Sequence, residues 1–369
     1  MPFFPYSVPG IRIAGIAAAV PAESVPLSSF ADRFEKDYIE KFSATSAIRQ
    51  IRCTAPGQTA SDLCFAAAEN LLETHQIGRS EIGLLVFATH SPDYRCPATA
   101  CVLQDRLGLS SGCGAFDLGL GCSAYPYALL TAASLLTMSG ARYALILAGD
   151  TLTKVTGKRD RSTVMLFGDA GSCTLLEKAD GCTIQGLLKS DGSGYRDIII
   201  PAGEMRNPSP PRRDEETADG CTRSLYDLTM NGMNVFSFSI GPVPKAVKEF
   251  YAATGTGAAD YDLFAFHQSN KQIIEKIAGK IGAPAEKIPL CLEEYGNTSS
   301  ASIPLALSSA LGGDHSDKPL NTLFCGYGVG LSIGIAAAPI RPGEILPPIE
   351  TDASFPEGVI NSLSDMEED

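Results

Sequence analysis

Apolar positions recur with a helical period over 60–74 (ASDLCFAAAENLLET), and this segment reads as an amphipathic helix. A short continuous apolar run at 83–89 (GLLVFAT) then reads as a buried strand. The alternation continues with a helix at 97–107, a strand near 114–120, a helix at 123–138 and a strand at 143–148 (YALILA). The second half repeats the order: helix 234–253, strand 262–266 (DLFAF), helix 270–282, strand 288–292, helix 299–311 and strand 321–325. Continuous apolar strands separated by helices predict an α/β fold with a parallel sheet covered on both faces. Near the N-terminus, IRIAGIAAAVPA reads as a buried strand turning at Pro21. It lacks the basic flank of a signal peptide, since Arg12 lies inside the apolar stretch.

Two landmarks line up across the halves. Phe-Ala-Thr-His90 matches Phe-Ala-Phe-His267 at an offset of 177, and Gly121-Cys122 matches Gly296-Asn297 at an offset of 175. A near-constant offset predicts an internal duplication, with halves at 1–178 and 179–341. Between them, 201–224 is rich in Pro, Arg and acids and reads as an exposed loop. Residues 342–369 carry Pro342, Pro347, Pro348 and Pro356 and end in Asp-Met-Glu-Glu-Asp, the pattern of an extended or disordered acidic tail.

Composition narrows the class. The chain has 369 residues, enough for a large core, and only 19% are charged, which excludes a disordered or coiled-coil protein. No apolar run reaches the ~18 residues of a membrane span. The net charge of −13 is concentrated in the tail, whose eight acids face no bases. A polyanion-binding protein shows the opposite balance, so nucleic acid is not the expected partner. Eleven cysteines form no CxxC pair, which removes the usual zinc patterns and implies no metal site. Several lie in apolar segments, as Cys64, Cys101, Cys173 and Cys325 do, and behave as small hydrophobes in a reducing cytoplasm.

Three residues carry candidate chemistry. In FDLGLGCSAYPYALL an apolar strand passes through Gly119 and Gly121 to a helix that opens just after Cys122. Open α/β sheets place ligands at this carboxyl edge, and unpaired N–H groups at a helix start are expected to lower a thiol pKa toward the thiolate. His267 ends strand DLFAF, where an imidazole is placed as acid, base or hydrogen-bond donor. Asn297 sits in YGNTSSAS, another strand-to-helix turn. Taken singly, these residues also read as a buried thiol, a loop histidine and a helix cap. The duplication puts Cys122 and Asn297 at equivalent positions with His267 on a neighbouring strand end, so that all three converge. The glycines of FCGYGVGLSIG (324–334) permit close backbone approach and can aim N–H groups at an oxyanion. His90, the positional duplicate of His267, is read as structural.

With these motifs in place the chain resembles a ketoacyl-acyl-carrier-protein synthase III of the thiolase-like superfamily. The resemblance rests on QTASDL (58–63), FDLGLGCSAYPYAL (116–129), FGDAGSCTLLE (167–177), FHQSNKQI (266–273), GNTSSAS (296–302) and GYGVGLSIG (326–334). It implies an internally duplicated five-layer αβαβα fold and no cofactor. It also implies that Cys122 takes an acyl group as a thioester, with the N–H groups of Cys122 and Val329 as the oxyanion hole. His267 and Asn297 then act as two neutral donors to the carbonyl of a malonyl thioester as carbon dioxide leaves. Substrate binding falls to Gly232, Phe236 and Asn270 along the pantetheine arm. The family's adenine-stacking tryptophan aligns with Tyr38 and its stacking arginine with Lys154. Met233 stands where the family has an asparagine, and Cys96 where it has an aromatic that lines the partner subunit's acyl pocket.

The expected activity is therefore decarboxylative condensation of a Cys-bound acyl group with a malonyl thioester, in fatty acid, polyketide or related lipid synthesis. Acyl and malonyl thioesters are expected on acyl carrier protein or coenzyme A, and the assembly as a homodimer, with a heterodimer as the variant arrangement. Two alternatives stand beside it. An acyltransferase would hand the Cys122 thioester to an alcohol or amine without decarboxylation. A non-catalytic subunit of a condensing heterodimer would have lost the nucleophile or its donors, whereas Cys122, His267 and Asn297 are all present.

Overall fold

In the computed structural model, which describes residues 4–366, the strands form a nine-stranded mixed sheet with helices on its faces. Its first member, β1 (Tyr6–Pro21), is the apolar N-terminal segment. Strands β2 (Ile82–Ala88), β3 (Gly114–Leu118) and β4 (Tyr143–Asp150) run parallel to one another, with β2 in the middle. They alternate with helices α2 (Ala60–Thr74), α3 (Thr99–Arg106) and α4 (Ala124–Met138), close to the predicted spans. Helix α1 (Lys36–Ser46) precedes them. Thr59 and Asp62 make a reciprocal capping box that fixes the start of α2.

The wholly parallel sheet expected from the sequence is not what forms. Strand β5 (Ala170–Ser190) is antiparallel to both β4 and β1. The 151–169 connection contains only a short 3-10 turn, and without a crossover helix the chain returns in the antiparallel sense. The expected boundary at 178/179 falls inside β5. Its first part pairs with β4, and its last residues, Gln185–Ser190, pair with β8 (Ser332–Ile340) of the second half. The second half continues through β7 (Leu320–Gly328) to β6 (Leu263–Phe266).

Helix α4 is apolar around nearly its whole circumference because it packs between strands of both halves. Helix α9 (Ser302–Leu311) shares this central layer. Helices α2 and α3 cover the outer face of the first half, and α6 (Pro242–Thr254) that of the second, with α7 (Lys271–Ile281) packed beside α6. This is the five-layer arrangement.

Two predicted elements differ. The single helix expected at 234–253 is broken into α5 (Gly232–Ile240) and α6 at Gly241-Pro242, because Pro242 has no N–H for an uninterrupted helix and instead opens a new one. The strand expected at 288–292 is absent. There the Gln268 side chain donates to the Pro289 carbonyl at 3.2 Å and accepts from the Cys291 N–H at 3.1 Å, and a one-turn helix α8 (Leu292–Tyr295) follows.

The 201–224 loop carries a two-residue-per-strand hairpin (Glu215–Glu216 with Thr222–Arg223), anchored where Arg223 meets buried Asp160 at 2.6 Å. The segment after Arg341, expected as an extended or disordered tail, runs along the first half. Strand β9 (Ile349–Thr351) pairs parallel with the end of β1, and Glu350 meets Arg52 at 2.7 Å.

Candidate active site

Strand β3 ends at Leu118, and Cys122 follows in the turn that opens α4. The thiol is 6% exposed, and its sulfur lies 3.9 Å from Ser299 Oγ. The backbone N–H groups of Cys122 and Val329 both point at the sulfur. Burial pushes the thiol up to about 11 and outweighs the pull of these N–H groups and of Ser299. The lowered thiol pKa expected from the helix start is thereby corrected: Cys122 rests as a neutral thiol. Gly328 lets the glycine loop approach it, since a Cβ there would stand 2.6 Å from Cys122 Cβ at a φ of +153°. The loop is tied to the start of α4 by a Ser123–Ser332 hydroxyl pair at 2.7 Å, and Ser332 also donates to the Val329 carbonyl at 2.6 Å.

His267 follows the last residue of β6, its N–H donating to the Cys325 carbonyl at 2.9 Å. The imidazole is buried, and Nδ1 lies 2.7 Å from Ser302 Oγ, whose own proton goes to the Ser299 carbonyl at 2.6 Å. Burial lowers its pKa to about 3, which keeps it neutral at physiological pH. Asn297 is buried too and is held on both sides of its peptide: its N–H donates to the Leu166 carbonyl and its carbonyl accepts from the Gly168 N–H. Its Oδ1 accepts the Ser299 N–H at 3.0 Å, and its Nδ2 donors make no hydrogen bond among the described residues. Gly296 makes this turn with φ +66°, where a Cβ would clash with Ile51 at 2.8 Å. Ser299 itself sits at φ 50°, a strained setting for a residue with a side chain, and aims its hydroxyl at Cys122.

Cys122, His267, Asn297, Ser299 and Val329 line one cavity of about 860 Å³. Its lining includes the apolar side chains of Ile198, Leu228, Met230, Val235 and Phe236 and the loop from His90 to Arg95. A buried thiol, two N–H groups aimed at it, and an amide and an imidazole facing the same space form a set suited to acyl transfer and to stabilising an enolate.

Two family models match the chain: 3-oxoacyl-[acyl-carrier-protein (ACP)] synthase III at residues 116–192, and its C-terminal counterpart at 251–340. A β-ketoacyl-[acyl-carrier-protein] synthase III of Rhodopirellula baltica is 35% identical over 348 residues, covering 89% of this chain and 97% of that one. The chain belongs to the 3-oxoacyl-[acyl-carrier-protein] synthase III family. It is a condensing enzyme of the ketosynthase III type, a transferase with the thiolase-like fold. The crystal structure of a 3-oxoacyl-(acyl-carrier protein) synthase from Burkholderia xenovorans is 36% identical with a TM-score of 0.88, covering 95% of this chain and 99% of that chain. The priming β-ketosynthase of the R1128 polyketide biosynthetic pathway is 25% identical with a TM-score of 0.77, covering 90% of this chain and 97% of that chain.

Among the substrate-binding residues that the synthase III resemblance suggests, Gly232, Phe236, Asn270 and Lys154 line the cavity. Asn270 also caps α7, accepting from the Gln272 N–H at 2.9 Å. Tyr38 lies outside the cavity wall, and the pairing of Tyr38 with Lys154 is not formed. Lys154 donates to the Gln58 carbonyl, and the guanidinium over the Tyr38 ring is that of Arg161. Arg161 was not singled out from the sequence, and its place ahead of the FGDAG motif was the signal that could have done so. His90, read as structural, stands on the cavity wall, with Nδ1 2.7 Å from the point where a Cβ on Gly121 would lie. Its common offset with His267 was the available signal.

Proposed function

We propose that Cys122 is the nucleophile of a decarboxylative condensation that yields a 3-oxoacyl product. The observation that carries this reading is the convergence of Cys122, His267 and Asn297 at one cavity, with the Val329 and Cys122 N–H groups already directed at the sulfur. In acylation the thiol loses its proton as sulfur attacks the incoming thioester carbonyl. The two N–H groups receive the oxyanion, and the departing carrier thiolate takes up a proton. The malonyl thioester then loses carbon dioxide. Its enolate oxygen receives hydrogen bonds from Asn297 Nδ2 and from His267 Nε2, which carries the proton once the Ser302 hydroxyl, bonded to the Ser299 carbonyl at 2.6 Å before substrate enters, turns to donate to Nδ1. The carbanion attacks the acyl-Cys122 carbonyl, the carbon–sulfur bond breaks, and the Cys122 thiolate that leaves takes up a proton from solvent. Donors of this kind contribute about 3 kcal/mol each in a water-excluded site.

The reading extends to delivery and assembly. Both acyl and malonyl groups arrive on a pantetheine arm that enters past Gly232, Phe236 and Asn270. An acidic carrier protein docks through Lys158, Arg159, Lys271 and neighbouring cations at the mouth. Strand β3, paired only with β2 among the described residues, is the edge through which a homodimer forms. The eleven free cysteines suit a reducing cytoplasm. As an acyltransferase in the broad sense, the enzyme passes its acyl group to carbon rather than to an alcohol or amine, because the two donors serve only an enolate. Intact mass and peptide mapping after treatment with an acyl thioester test the core of this reading. An adduct on Cys122 that is lost in Cys122→Ala is expected, and label on another cysteine overturns it.

A further inference from the structure

The acid-rich segment after β9 belongs to no motif of the condensing reaction, yet it reaches the active-site cavity at three points. Gln58 Nε2 donates to the Thr351 and Ala353 carbonyls at 3.2 and 2.8 Å, while the Gln58 carbonyl accepts from Lys154, a cavity residue. The Phe355 ring lies under the Arg106 guanidinium at 4.4 Å from its centroid. Arg106 in turn donates to Ser61 Oγ and Asp62, and Ser61 donates to Asp93 on the cavity wall at 2.7 Å. Tyr94, also on that wall, donates its hydroxyl proton to the Gly358 carbonyl. The loop from His90 to Arg95 that lines the cavity is thus held by residues 351–358.

We propose that this C-terminal strap is a specificity element. By holding Asp93 and Tyr94 in place, Phe355 and Gly358 limit how long an acyl group the cavity accepts on Cys122. The residues act through the loop and touch no reacting atom, so they are positioning residues. The proposal rests on the reading of Cys122 as the acylated nucleophile. Released from Phe355 or from the Gly358 carbonyl, the loop moves outward and the cavity lengthens.

The test compares acylation of Cys122 by acetyl- and octanoyl-pantetheine in the wild type, Phe355→Ala and Tyr94→Phe, with the second-order rate constants taken as a ratio. A ratio is blind to the fraction of folded enzyme, which scales both substrates alike. The octanoyl-to-acetyl ratio is expected to rise at least about fivefold in Phe355→Ala and in Tyr94→Phe, and to return toward the wild-type value in Phe355→Tyr. An unchanged ratio in both variants overturns the strap's role while leaving the condensing reading intact. Failure of the wild type to acylate at Cys122 overturns that reading instead.

Discussion

The Arg161 guanidinium lies over the ring of Tyr38, 5.1 Å from its centroid, and donates to the Asp219 carbonyl at 2.8 Å. This places a planar cation opposite the aromatic ring, where alignment had suggested Lys154. A lysine is a hydrated point charge that cannot stack on a nucleobase, whereas a guanidinium can. Arg161→Ala is expected to raise KM for acyl-coenzyme A by about 5- to 150-fold, the equivalent of one stacking contact. Acyl-pantetheine, which has no adenine, should show no change in KM. Equal effects on both donors would contradict an adenine site here.

Asn297 keeps its amide oriented through the Ser299 N–H and makes no hydrogen bond to the Cys122 sulfur among the described residues. Asn297→Ala should still acylate Cys122 but decarboxylate malonyl thioester at least about 100-fold more slowly, the usual loss for one such donor. Release of carbon dioxide at the wild-type rate would refute the division of labour.

The buried thiol and imidazole set opposite pH signatures. With the Cys122 thiol near 11, alkylation of Cys122 by iodoacetamide should climb about tenfold per pH unit from pH 7 to 10 without levelling off. A plateau near pH 7 would show a preformed thiolate. His267 falls from 6.5 to about 3 on folding. Between these values the unfolded chain binds a proton that the folded chain does not, so stability rises with pH through this window and is lost as pH drops below about 6.5. Urea midpoints at pH 7.5 and 5 should therefore lie closer together in His267→Gln than in the wild type.

Gly328 sits at φ +153° against Cys122, where a methyl group would stand 3.0 Å from the sulfur. Gly328→Ala is expected to displace the Val329 N–H and lower the acylation rate at least about 100-fold. Circular dichroism should show the fold retained. Wild-type acylation by this variant would remove Val329 from the oxyanion hole.

The succession of helices and strands was legible because a buried strand must be apolar throughout and a surface helix apolar on one side, and both patterns are written locally. The tight turns at Gly121-Cys122 and Gly296-Asn297 were legible for the same reason, since small residues have to stand where the chain turns sharply, although the second follows the one-turn helix α8 and not the expected strand. What the sequence could not determine lay in contacts between distant segments. The direction of β5 depended on a connection with no crossover helix, and the loss of a strand at 288–292 on the side chain of Gln268. Whether Cys122 rests as thiol or thiolate was decided by how completely α4, Ser299 and the glycine loop close around it, a matter of desolvation that no local pattern carries. The partner of Tyr38 was decided by the fold of the loop around Arg161. The acidic C-terminal segment looked solvated by composition, but β1 offered it an open strand edge and Arg106 a cation, so tertiary structure turned it into part of the cavity's support.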